Sequence, residues 1–302
     1  MEEYHYGWMQ PNNDEGGSYT FRIEGDALPH EVWEECSRAL NFFGRIRPHL
    51  TSYVVLDGYY GDLLKIPDFI KSKVGNNPAF LHLITGMSVE LHALCDRAVN
   101  GFLAAGQSFR ERILRKIGAS PSSGHPVREL TKGLEASHAV YRLLIQLRNL
   151  GLHEEAVFRT IAVNVDADSQ SYTVGLQLDK TELLSRLSPA KRKAVGDATD
   201  IPQKIDFLGA AREYMECHRT ILRTALLTDV DDVAFSVGFM RAVLSGARGA
   251  PPNAIPLIFR GVPEEIRNGQ FAEGATANAN VIEVPREEFA YLINIFPELS
   301  AE

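Results

Sequence analysis

The sequence predicts a mainly α-helical protein, a helical bundle that carries an inserted β-hairpin and small α/β flanking regions. Three observations predict it. In the middle of the chain, apolar residues recur at helical spacing over long stretches; Leu83, Met87, Leu91, Leu94, Ala98 and Phe102 follow one another at steps of three and four. Two alternating runs, 157–165 and 171–178, interrupt the helical stretches and read as one hairpin with a five-residue loop. On either side, short strand-like runs mix with single helices. The expected partition is therefore an N-terminal α/β flanking region (1–78), a helical domain (79–228) and a C-terminal α/β flanking region (229–302).

Element by element, the polar, Gly-rich first fifteen residues read as a frayed terminus, and 18–24 as a strand. Pro29 opens a helix through about Phe43. The stretch 48–78, with Pro48, Gly58, Gly61, Pro67, Gly75 and Pro78, reads as irregular with one short helix near 68–73. The long helix after Pro78 is expected to end at Gly106, followed by a basic helical piece over 109–117 and a loop at 119–126. A second long helix should run from Pro126 to about Leu152. After the hairpin come a short helix over 181–187 capped by Asp179, a charged connection over 189–199, and a long helix over 203–228. A helix at 231–244, strands at 255–260 and 281–284 and a helix at 286–296 complete the chain.

Composition narrows the function classes. With 302 residues, 45 % of them hydrophobic, the chain can bury a sizeable core. A charged fraction of 23 % and a mean hydropathy of −0.13 exclude a disordered or collagen-like chain. No apolar run approaches the roughly 20 residues that span a bilayer, and the acidic start MEEYHYGWMQ does not read as a secretory leader. Cys36, Cys95 and Cys217 are far apart and odd in number, which offers neither a disulfide framework nor a CxxC site. The expected setting is cytoplasmic, without a membrane.

The net charge of −8 argues against coating nucleic acid by bulk electrostatics. The acidic excess lies in the flanks, however. Residues 97–132 hold Arg97, Arg110, Arg112, Arg115, Lys116, Arg128 and Lys132 against Glu111 and Glu129 alone. A solvated helix face explains such a segment, and so does a phosphate-binding one.

GxGxxG, P-loop, HExxH, EF-hand and GxSxG patterns are all absent. Cys217-His218 reads as a core cysteine with an exposed or satisfied neighbour, since no further metal ligands accompany it. What remains is Leu147-Arg-Asn-Leu-Gly-Leu-His153 at the end of the second long helix. Glu135, His138, Arg142, Gln146, Asn149 and His153 follow at steps of three and four and line one continuous polar stripe, opposite or beside the apolar one. Asn149 and His153 are i and i+4, so the amide can orient the imidazole. Arg148 lies about 140° from His153 round an unbroken helix, and Gly151 can loosen the last turn. The plainer alternative is a solvated face with His153 complementing the helix dipole. Arg212/His218 has similar spacing, but lies mid-helix without the Asn, and reads as chance.

Arg148-Asn149-x-x-x-His153, at the end of the second long helix and followed by a hairpin and a further long helix, resembles the HEPN superfamily of helical RNA-processing and RNA-binding domains. The resemblance covers roughly 79–228. It implies RNA cleavage with no metal and no cofactor, a cytoplasmic homodimer whose two motifs face each other in a composite site, and a toxin or defence role with a protein antitoxin or regulator. His153 is then the general acid/base, acting on the ribose 2′-hydroxyl or the leaving 5′-oxygen. Arg148 stabilises the charge that develops on phosphorus, and Asn149 orients or contacts phosphate. Glu90 on the preceding helix is a supporting acid, and Arg110, Arg112, Arg115 and Lys116 hold the RNA backbone. The alternative implied is a catalytically inactive HEPN domain that binds RNA, nucleotide or a protein partner.

Overall fold

The computed structural model describes residues 4–11, 19–28, 30–74, 89–116, 124–151, 160–166, 171–246, 255–260 and 280–300. They are mainly helical, with two antiparallel sheets. The chain divides into two units: residues 1–48 with 226–302, and residues 49–225. The first joins the two ends of the chain. The second takes in residues 49–74, which the sequence partition had assigned to the N-terminal flank.

In the first unit, β1 (Tyr4–Pro11), β2 (Tyr19–Leu28), β6 (Ile255–Arg260) and β7 (Asn280–Glu283) form a sheet in the order β2-β1-β6-β7. The expected frayed terminus is corrected by β1, which pairs along both edges: Tyr6 stands opposite Glu24 of β2 and Ile258 of β6. His5 and Trp8 are buried on it. The first part of α1 (His30–Val74) presents Cys36, Ala39, Phe43 and Ile46 inward at helical spacing. Asp232 of α8 (Val230–Gly246) accepts from Arg38 at 2.9 Å and from Arg45, and Arg47 pairs with Glu288 of α9 (Arg286–Ile295).

The second unit is built on helices. The rest of α1 is the main departure from sequence expectation, because 48–74 is continuous helix. Two interior prolines cost about 3 kcal/mol each. Against that, Leu50, Leu56, Leu63, Ile66 and Ile70 are buried, with Tyr53 and Tyr60 between them, and each buried aliphatic side chain contributes about 1.5–3 kcal/mol. The stripe outweighs the breakers. It packs on α2 (Val89–Lys116), where the Tyr53 ring meets Phe109 and Tyr60 meets Phe102 at centroid distances of 5.8 and 6.0 Å.

Gly106 does not end α2 as expected; it lies buried inside it. A Cβ there would stand 2.5 Å from the Tyr214 hydroxyl and 2.8 Å from Cζ, so glycine is the residue that lets that ring lie against the helix. The expected second long helix is broken in two, α3 (Pro126–Ser137) and α4 (Ala139–Gly151), by an extended His138. The break is satisfied locally. Arg142 donates to the α3 carbonyls of Glu135 and, at 2.8 Å, Ala136, capping that helix's end.

The hairpin expected from alternation is present as β3 (Thr160–Asp166) and β4 (Ser171–Asp179), with Val174, Leu176 and Leu178 turned into the core. Asp179 caps α5 (Lys180–Arg186) by accepting from the Glu182 amide at 2.9 Å, as its position predicts. The charged connection contains a helix, α6 (Pro189–Val195), whose Ser188 cap and buried Val195 tie it down. A short strand, β5 (Lys204–Asp206), pairs with β4 and leads into α7 (Phe207–Leu226). Tyr214 of α7 sits at the aromatic centre of the core, 5.3 Å from both Phe102 and Tyr141.

Candidate functional site

Arg148 lies in the last turn of α4, where a cation complements the helix dipole. Its side chain is 32 % exposed, half-sunk but open to solvent, and its Nη1 stands 3.8 Å from Glu111 Oε1. Glu111 is a junction: Oε1 accepts from Gln107 at 2.7 Å and Oε2 from Arg115 at 3.1 Å. The Gln107 hydrogen bond, with the Arg115 hydrogen bond and the charges of Arg148 and Arg115, holds its carboxyl below the ordinary glutamate range. Glu111 is therefore an anion at neutral pH, and the Arg148 guanidinium is tethered to the last turns of α2.

Those last turns form a positive pole. Arg112, Arg115 and Lys116 are exposed there. Their field is registered by His49, whose pKa is pushed down to about 4 by burial first and then by the charges of Lys116 and Arg112. Arg110, the other cation expected beside them, has a partner of its own. It turns to Glu135 of α3 in an ion pair, with 19 % of its side chain exposed, so it braces two helices and stands apart from the exposed cations.

Among the described residues, the carboxylate that reaches Arg148 is Glu111. Glu90 lies on the same helix, 21 positions earlier in sequence. The Glu90 and Asn149 side chains and the whole of His153 lie outside the described residues. Within the expected polar stripe, other members have structural partners. His138 Nδ1 lies 2.9 Å from Glu213 Oε1, and Arg142 donates from Nε to the Val195 carbonyl at 2.7 Å besides capping α3. Sequence reasoning missed Glu111. The signal available was its position, i+4 from Gln107 and i−4 from Arg115 on one helix face.

Cys217-His218 is core, as expected. The imidazole is fully buried beside the Tyr214 ring, with Nδ1 2.8 Å from the Tyr214 carbonyl oxygen and Nε2 3.1 Å from that of Gly106. Burial pushes its pKa down to about 4. Arg212 is exposed, so that second Arg/His spacing brings no two groups together. The thiols of Cys36, Cys95 and Cys217 are buried and pushed up to about 12, 11 and 12, which makes them poor nucleophiles. Among the described residues no His/Cys/Asp/Glu group could hold a metal ion, and no helix is long and apolar enough to cross a membrane.

No family model, curated protein or solved structure matches the chain.

Proposed function

We propose that the chain is a metal-independent endoribonuclease of HEPN type, cytoplasmic and homodimeric, acting as a toxin or defence RNase under a protein antitoxin or regulator. The RNA backbone lies along Arg112, Arg115 and Lys116, and the scissile phosphate meets Arg148. His153 takes the proton of the ribose 2′-hydroxyl; O2′ bonds to phosphorus and the P–O5′ bond breaks. The departing oxygen receives a proton from the second copy's equivalent histidine, leaving 2′,3′-cyclic phosphate and 5′-hydroxyl ends. Asn149 orients His153. Arg148 stabilises the extra charge on phosphorus with its fork of donors.

One observation carries this reading: a part-exposed guanidinium at the end of α4 stands against the cationic end of α2, linked to it through Glu111. A phosphodiester needs that combination, one fixed fork at the reacting phosphorus and diffuse positive charge along its neighbours. A second reading, an inactive HEPN domain that binds RNA, nucleotide or a protein, is favoured by the same Glu111, which already neutralises Arg148. Incubating RNA with the purified protein in EDTA separates the two. Cleavage to 2′,3′-cyclic phosphate ends that disappears in both Arg148→Ala and His153→Ala supports the nuclease. RNA retention without cleavage supports the binder. Equal cleavage by wild type and both variants refutes the site.

A further inference from the structure

Between the second half of α1 and the first half of α2, the helical unit carries a groove of about 680 Å³, within the range of sites that enclose one small ligand. Its walls are apolar: Tyr59, Ile66 and Phe69 on one side, Leu94, Ala98 and Ala104 on the other. Tyr59 and Phe69 leave 39 % and 42 % of their surface in solvent, and with Val55 and Leu64 they concentrate exposed large apolar side chains on this stretch of α1. The Tyr59 ring lies close against α2 at Gly101, where a Cβ would stand 2.7 Å from Cδ1.

The charges around the groove do not cancel. Asp62 and Lys65 pair with each other at 3.0 Å. Arg97 is exposed on the α2 wall and has no ion-pair partner among the described residues. One apolar trough with one guanidinium at its edge, unpaired among the described residues, matches an amphiphile with a single anionic head. Volume decides the kind. A peptide helix about 10 Å across and four turns long, on the order of 1,700 Å³, would leave more than half of itself outside the groove, whereas one unbranched hydrocarbon chain is slim enough to be taken in by a trough of that volume.

We propose that this groove binds one free long-chain fatty acid, its chain lying between Ile66, Phe69, Leu94 and Ala98 and its carboxylate accepting hydrogen bonds from Arg97. The proposal stands independently of any ribonuclease activity. Calorimetric titration of the full chain with oleate, kept below its micellar concentration, tests it. The expected result is saturation at one oleate per chain, about tenfold weaker binding in Arg97→Gln, and no difference between wild type and Arg97→Gln for oleyl alcohol. Ala104→Trp, which fills the trough, is expected to abolish binding with an unchanged melting curve. If that variant unfolds, the Arg97→Gln comparison decides alone. Oleate binding untouched by Arg97→Gln, no saturable binding, or binding only to vesicles of anionic phospholipid overturns the proposal.

Discussion

Replacing Gly106 with alanine pits two known effects against each other. In an exposed helix interior, Gly→Ala gains about 1 kcal/mol. At Gly106 the new methyl would enter the space of the Tyr214 ring, 2.5 Å from its hydroxyl. Tyr214 has nowhere to retreat, because it is fully buried and packed against Phe102, Tyr141 and His218. Overpacking a dense core costs about 1–3 kcal/mol. Displacing the helix also disturbs the His218 contact to the Gly106 carbonyl, at about 1 kcal/mol. The net expectation is a loss of about 2 kcal/mol, read as a fall of about 4–8 °C in the thermal midpoint followed by circular dichroism. Gly133→Ala in α3 is the matched control: nothing lies within 4 Å of its Cβ position, so a gain of up to about 1 kcal/mol is expected. If Gly106→Ala proves as stable as wild type while Gly133→Ala behaves as stated, the packing of Tyr214 against α2 is wrong.

Two further perturbations probe the charges. On the proposed reading, Glu111→Gln removes an anion 3.8 Å from Arg148. Both groups are part-exposed, so the Coulomb gain to an incoming phosphate is on the order of 1 kcal/mol, and RNA should bind about fivefold tighter in filter assays at low salt; unchanged affinity separates Arg148 from the RNA path. His218 sets a pH dependence. Its folded pKa of about 4 lies below the ordinary 6.5, so between those values the unfolded chain binds the extra proton. Stability should be full above pH 6.5, fall on acidification by roughly 3 kcal/mol, and level off below pH 4. His49 shares that window, so denaturant titrations of His218→Phe should show a shallower fall that persists in part. A slope identical to wild type counts against a neutral, buried His218.

Much of the fold was legible because local signals agreed with tertiary packing. The hairpin alternates cleanly, Asp179 sits at a cap position, and the apolar stripe of α7 recurs at helical steps. The failures share a cause. Pro48, Pro67 and Gly106 are punctuation by local propensity, yet each lies inside a helix whose buried face supplies more free energy than the breaker removes. The same competition hid β1, whose glycine and polar residues look frayed until strands from both ends of the chain pair with it. That pairing brings residues more than 240 positions apart together, and no local window contains it.

The site shows the limit of reading chemistry from a helical wheel. A wheel assumes one axis, and on that assumption Glu135, His138 and Arg142 share a face with Asn149 and His153. The extended backbone at His138 splits the axis. Once it is split, three members of that stripe turn to structural tasks: Glu135 to Arg110, His138 to Glu213, and Arg142, just past the break, to the carbonyls at the end of α3. Arg148 shares α4 with Arg142 but lies in its last turn, where Glu111 is the carboxylate that approaches it among the described residues. What distinguishes it from Arg142 is the availability of its donors. Arg142 spends its fork on three main-chain oxygens, and a phosphate competing for it must break its bonds to the end of helix α3. At Arg148 the competitor is one solvated carboxylate at 3.8 Å, which a phosphodiester can displace without orphaning any buried group.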